Sequence, residues 1–274
     1  MYRRIKLIVL FLLISISTFL LGCGSDLSKK PTQSKKNVPS GPNLLYEHPD
    51  RDKVNVKKDI VYKIHNDNKL KLDIYYPLST KDISKIPTVI LIHGTASDDN
   101  LKDSDVYQAW GKAIAASGAT AVTFNWRTSI ASKDVSDLIK YVRENAKELN
   151  LNSENVCVFA FSAGVQEGVK DAMSVNTGFV KNVIVYYGKL DTSILTVKSD
   201  VKLPRFLIAM GKEDKYFAPG TNDFFMEEAK AKGCNIIKMV HSKAGHAFDV
   251  FNVGDDETKN IVSKTLKFIA DSGN

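Results

Sequence analysis

Only three cysteines occur in 274 residues, and so sparse a set excludes a small scaffold stapled by disulfides. Proline and glycine are modest, at 8 and 16, which excludes a collagen-like repeat and a largely disordered chain. There is no dense Lys/Arg stripe. The formal charge of +7 includes Arg3, Arg4 and Lys6, which precede a long apolar run, and the remaining excess is scattered, so a nucleic-acid partner is not expected. No two histidines have metal-ligand spacing and no Gly-rich nucleotide loop of the usual form occurs, so neither a metal nor a cofactor is expected. What is abundant is apolar surface: 43% of residues are hydrophobic and 9% aromatic, enough for the core of one globular domain.

The apolar run spans Leu7 to Leu21, behind the basic cluster and directly ahead of Gly22 and Cys23. A bilayer-spanning helix needs about 20 apolar residues, so the run is short for one, and its flanks are those of an export signal. Leu20, Leu21, Gly22 and Cys23 resemble the bacterial lipobox, in which the cysteine is acylated and becomes the mature N-terminus. The resemblance implies a signal peptide over 1–22 and lipidation at Cys23, with palmitate among the acyl chains. The protein would then be lipid-anchored at the bacterial cell membrane on its extracytoplasmic face, since two acyl chains hold where one is marginal. Residues 23–57, rich in Ser, Lys, Pro and Asn, read as a flexible tether, and 58–274 as the folded domain.

From Asp59 onward short apolar runs alternate with amphipathic stretches, the pattern of an α/β domain with a parallel sheet covered by helices. Ile60–His65 and Leu70–Tyr76 read as a hairpin across Asn66, Asp67 and Asn68. Strands are expected over Thr88–Ile92, Thr120–Asn125, Val156–Phe161, Val183–Tyr187, Phe206–Met210 and Ile236–His241. Helices are expected over Val106–Ser117, Asp134–Leu149, Ser162–Met173, Asn222–Lys232 and Asp256–Ala270. The sum is an eight-stranded, mostly parallel sheet with helices on both faces, whose chemistry should lie at the carboxyl ends of the strands. With two strands between them, Cys157 and Cys234 would stand roughly 14 Å apart, beyond the Cα limit of about 7 Å for a disulfide, so both are expected to be free thiols.

The strand Val156–Phe161 runs into Ala160-Phe161-Ser162-Ala163-Gly164, with a helix after it. A sharp strand-to-helix turn needs small residues two positions either side of the serine and exposes its hydroxyl at a helix N-terminus, so Ser162 is the candidate nucleophile. A serine hydroxyl is a weak nucleophile without a base. Among five histidines, His246 lies in a loop after the last strand, behind Gly245, and is the candidate base. His93 reads as a structural turn residue. The acid that orients the imidazole is assigned to Asp214, in the turn after Phe206–Met210, with Glu213 and Asp191 as alternatives. The backbone N–H groups of Thr95 and Ala163 are the candidate oxyanion donors.

With these residues in place the domain resembles the α/β-hydrolase superfamily, and within it small carboxylesterases and dienelactone-hydrolase-like esterases, over about Ile60 to Ile269. Lys69 to Pro77 resembles the leading hairpin, Phe124-Asn125-Trp126-Arg127 the Asn-Tyr-Arg segment, Asp137 the helix aspartate that follows it, and Gly245-His246-Ala247-Phe248 the histidine loop. His93-Gly94-Thr95-Ala96 departs from the His-Gly-Gly-Gly of hormone-sensitive lipases, and Ser162 from the nucleophilic cysteine of dienelactone hydrolases. The resemblance implies a serine esterase acting on a small-molecule or polysaccharide-linked ester through an acyl-enzyme. About eighteen residues separate Tyr187 from Phe206, too few for a large helical lid, which points away from long-chain lipid. A serine peptidase of the same fold, or a surface lipoprotein without catalysis, are the competing readings.

Overall fold

The computed structural model describes residues 48–79, 82–95, 101–127, 133–196 and 201–272. The signal segment, Cys23, most of the expected tether and Ala96 lie outside the described residues, as does the apolar run Leu7–Leu21. No helix among the described residues is long and apolar enough to cross a membrane.

Eight strands form one sheet: β1 (Asn55–His65), β2 (Asn68–Tyr76), β3 (Thr88–Ile92), β4 (Thr120–Phe124), β5 (Val156–Phe161), β6 (Val180–Tyr186), β7 (Arg205–Gly211) and β8 (Ile236–His241). Their spatial order is β1-β2-β4-β3-β5-β6-β7-β8. β2 runs antiparallel to both of its neighbours, and β4, β3, β5, β6, β7 and β8 are mutually parallel. The helices are α1 (Asp105–Ala116), α2 (Asp134–Glu144), α3 (Gly164–Ser174), α4 (Asp223–Ala231), the single turn α5 (Phe248–Phe251) and α6 (Asp256–Ala270).

A strand covered on both faces reads as a continuous apolar run, and β3, β4 and β5 are buried at every position. Alternate residues divide between two cores. Ile90, Ile92, Val156, Val158 and Ala160 pack with Val135, Leu138 and Ile139 of α2 and with Val165 and Val169 of α3. Val89, Leu91, Cys157, Phe159 and Phe161 pack on the other face with Trp110 and Ile114 of α1 and with Ile261, Val262 and Leu266 of α6. Cys157 on β5 and Cys234 ahead of β8 have β6 and β7 between them, and both are free.

Several boundaries differ from the expectation: β6 starts at Val180 rather than Val183, the ends of β4, β7, α3 and α4 shift by one or two residues, and three further differences have a clear physical reason. The domain begins before residue 58, inside the segment assigned to the tether: Arg51–Lys53 forms a 3₁₀ turn and β1 starts at Asn55, with Val54 and Val56 packed against the α1-side core. This start was masked by the polar residues of an edge strand that is largely exposed. The hairpin loop is two residues, Asn66 and Asp67, both at positive φ (46° and 63°), as a type I′ turn requires, and Asn68 pairs with His65. Helix α2 stops at Glu144, not Leu149: Asn145 leaves the helical backbone (φ −105°, ψ 13°), and its backbone N–H (3.0 Å) and side-chain amide (2.8 Å) both donate to the Tyr141 carbonyl as a cap. Leu149 is still buried, in the turns that follow.

Candidate active site

Ser162 sits at the end of β5 with φ +50°, the left-handed backbone that a strand-to-helix elbow forces on its central residue. Holding a non-glycine residue there costs on the order of 1–3 kcal/mol. The Ser162 N–H donates to the Tyr186 carbonyl and its own carbonyl accepts from Val165 N–H, both at 3.0 Å, so the strained residue is tied on both sides.

The structure brings Ser162, His246 and Asp214 together. Ser162 Oγ lies 2.8 Å from His246 Nε2, and His246 Nδ1 lies 2.8 Å from Asp214 Oδ2. A carboxylate only accepts, so Nδ1 carries the hydrogen and Nε2 is left to accept from the serine hydroxyl. The second Asp214 oxygen, Oδ1, accepts from the backbone N–H of Tyr216 (2.8 Å) and Phe217 (3.0 Å). Both oxygens of this buried acid are therefore fixed, one by its own loop and one by the imidazole. The alternatives stand elsewhere: Glu213 is exposed, and Asp191 caps the 3₁₀ turn Thr192–Leu195 by accepting from Ser193 N–H (2.7 Å).

His93 is buried at the end of β3. Its Nδ1 lies 2.7 Å from the Gly94 carbonyl, and its own carbonyl accepts from Trp126 Nε1 (3.3 Å). Gly94 abuts the nucleophile, and its neighbour Thr95 is exposed. Ala163 comes straight after Ser162 at the N-terminal end of α3, where backbone amides point outward and favour negative charge.

Four features of the site are absent from the sequence reading. The His246 imidazole is flanked by Tyr187 (ring centroids 4.8 Å), Tyr216 (5.1 Å) and Phe217 (5.9 Å). Tyr216 is 79% exposed and forms an aromatic wall at the mouth of the site. His241, wholly buried, accepts at Nδ1 from the N–H groups of Lys243 (3.3 Å) and Ala244 (3.1 Å) and so shapes the loop that carries His246. The carboxylate gripped by Arg127 is Asp134, through Nε (2.9 Å) and Nη2 (2.7 Å), whereas Asp137 meets Lys63 Nζ (2.6 Å). Asp249, directly after the segment Gly245-His246-Ala247-Phe248, is fully buried; a lone aspartate in an apolar tetrapeptide, Phe248-Asp249-Val250-Phe251, is the signal that could have singled it out. Among the described residues, no group of three or more His, Cys, Asp or Glu could hold a metal ion.

A sequence model of the BD-FAE family matches residues 72–202. A comparison with curated proteins returned no match. Among solved structures, the native form of a thermophilic esterase, Est2, from the planctomycete Thermogutta terrifontis superposes with a TM-score of 0.62 at 19% identity, over 83% of this chain and 95% of that one. Its butyrate-bound form gives 0.59 at 20% identity, over 78% and 91%, and its form phosphonylated by cyclosarin 0.60 at 20%, over 82% and 94%. With a mostly parallel eight-stranded sheet, a serine at the strand-to-helix turn after β5 and these matches, the chain has the α/β-hydrolase fold.

Proposed function

We propose that this protein is a serine esterase that hydrolyses short-chain carboxylic esters through an acyl-enzyme. The observation that carries the reading is the unbroken line from Ser162 Oγ through His246 to Asp214, with 2.8 Å at each junction. His246 Nε2 takes the hydroxyl proton as Ser162 Oγ attacks the ester carbonyl, and Asp214 holds the imidazole in the required tautomer and stabilises it once protonated. The N–H groups of Thr95 and Ala163 receive the charge that develops on the carbonyl oxygen. His246 returns the proton to the departing alcohol, and water activated by the same base then cleaves the acyl-enzyme.

Support for short acyl chains comes from two sides. The T. terrifontis esterase has been solved with butyrate and with propionate bound. In this chain the connection between β6 and β7 contains, among the described residues, only the 3₁₀ turn Thr192–Leu195, which gives a long alkyl chain no helical cover. Ser162→Ala should lower turnover of p-nitrophenyl butyrate by about 10⁴-fold or more; wild-type turnover in this variant would sink the proposal.

The reading extends to location: a lipid anchor at Cys23 holding the esterase on the extracytoplasmic face of the bacterial membrane, for an ester substrate that is a small molecule or linked to polysaccharide. It rests on Leu20-Leu21-Gly22-Cys23 behind the apolar run. Metabolic labelling with palmitate should mark the full chain and vanish in Cys23→Ser; equal labelling of the two overturns it.

A further inference from the structure

Beneath the catalytic imidazole lies a carboxylate that the triad does not use. Asp249 belongs to α5 and has no exposed surface. Its Oδ1 accepts from the Tyr187 hydroxyl (2.7 Å) and its Oδ2 from Trp110 Nε1–H (2.9 Å). Tyr187 in turn presents its ring edge-on to the ring of His246, at 4.8 Å between centroids and 64° between planes. A line of contacts thus runs from α1 through Asp249 and Tyr187 to the base.

Two features mark this line as more than filling. A carboxylate without a cationic partner in contact is a costly core residue that an apolar side chain of similar volume would replace with gain, and burial pushes the Asp249 carboxyl above its ordinary range in spite of its two donors. The backbone around the base is also strained: Tyr187, in ring contact with His246, has φ +38°, and Ala247, next to His246 in the chain, has φ +55°. Backbone in that region persists only where its surroundings over-determine it. The Tyr187 N–H is held by the Ala209 carbonyl (2.8 Å), its hydroxyl by Asp249, and its ring by Phe161 (6.2 Å) and Phe248 (5.6 Å). Ala247, for its part, opens the turn that buries Asp249.

We infer that Asp249 and Tyr187 are positioning residues for the catalytic base: Asp249 fixes the Tyr187 hydroxyl, and the fixed Tyr187 ring sets the angle at which His246 meets Ser162. The inference rests on the esterase reading and adds to it a support for the imidazole separate from Asp214. An enzyme whose imidazole is released on that side still binds substrate, but the imidazole meets the serine hydroxyl less often in line, so kcat should fall with KM unchanged.

The test compares Tyr187→Phe, Asp249→Leu and Asp249→Asn with the wild type, using steady-state hydrolysis of p-nitrophenyl butyrate and the rate of Ser162 labelling by a fluorophosphonate. Tyr187→Phe keeps the ring and loses the anchor; Asp249→Leu keeps the volume and loses both acceptors. Each should lose about tenfold or more in kcat and in labelling rate, with KM within about twofold. Asp249→Asn, whose amide can accept from Trp110 and donate to the Tyr187 oxygen, should recover most of the loss seen in Asp249→Leu. Leu138→Ala, a core truncation on α2 away from the site, serves as the stability control, and should lower the melting temperature without lowering kcat. If Asp249→Leu does not fold, Tyr187→Phe decides alone. Wild-type protein that labels while both Tyr187→Phe and Asp249→Leu label at its rate overturns the inference only; wild-type protein that does not label overturns the esterase reading, and the inference with it.

Discussion

Gly94 lies directly against Ser162: a Cβ on the glycine would stand 3.1 Å from the serine Cβ and 3.3 Å from the Phe161 carbonyl oxygen. The loop that carries one candidate oxyanion donor therefore leans on the residue that carries the nucleophile, and a single methyl group would part them by a few tenths of an ångström. Active-site geometry is sensitive on that scale, a misplacement of 1 Å costing about 10²-fold. Gly94→Ala should lose about tenfold in kcat/KM, mostly in kcat, with little change in melting temperature. Steady-state kinetics with a thermal melt check this, and wild-type kcat/KM would show that the contact is not used.

Gly164 meets a harder obstacle. A Cβ there would fall 2.3 Å from the His93 carbonyl oxygen and 3.1 Å from that of Ile92. Both are backbone atoms of the β3 end, so no side chain can yield, and α3 would have to lift from the sheet. Overpacking of this kind costs about 1–3 kcal/mol or more, so Gly164→Ala should melt roughly 4–8 °C lower. The same melting temperature as wild type would mean that α3 has slack at its first turn.

Lys102 is buried among carboxylates: its Nζ lies 2.6 Å from Asp103 Oδ1, 3.1 Å from Asp73 Oδ1 and 3.4 Å from Asp59 Oδ1, with the Lys102 and Asp73 side chains all but inaccessible. Lys102→Met would strand the Asp73 charge, and removing one partner of a buried pair costs about 3–5 kcal/mol. The double variant Lys102→Met/Asp73→Leu should recover a large part of that loss. Urea unfolding of the two singles and the double measures the coupling; strictly additive losses would show that the pair is not coupled.

Asp134 makes the acid limb of stability predictable. Burial raises its carboxyl, but the donors from Arg127 and Lys63 outweigh burial and hold it below the ordinary range. The folded state therefore binds this proton less readily than the unfolded chain. The stability it contributes is fully present above the unfolded value of about 4 and is lost as pH falls through the lower, folded value. Asp134→Asn should be less stable than wild type at pH 7, and the two melting curves should converge toward pH 2. Parallel curves across that range would assign the acid sensitivity to other groups.

The central parallel strands were legible because burial on both faces leaves little in them but apolar residues: Thr88–Ile92 and Val156–Phe161 agree with the observed strands at both ends. The start of β1 was not, since an exposed edge strand such as Asn55–Lys58 carries polar residues that read as tether. The end of α2 was hidden because Leu149 continues the apolar spacing yet reaches the core from a turn, held where the Tyr76 hydroxyl donates to its carbonyl (2.8 Å). At the site, Ser162 was found from its small neighbours and His246 from its glycine, both local signals. Asp249 carried a weaker local signal, its isolation among apolar neighbours, but Tyr187 and His241 carry none, since nothing in a short window distinguishes a buried tyrosine that touches the base from one that only fills the core.

Alone, the sequence determined the class of the fold, the order of its strands and helices along the chain, and which serine stands at a strand-to-helix turn, because apolar periodicity and turn chemistry act over a few residues. The tertiary structure decided which acid meets which base. Ser162 and His246 are 84 positions apart and His246 and Asp214 are 32 apart, while Asp249 reaches Trp110 across 139. Such pairings follow from strand order and register, which set distances to within a hydrogen bond's tolerance, and no local pattern of residues carries that information.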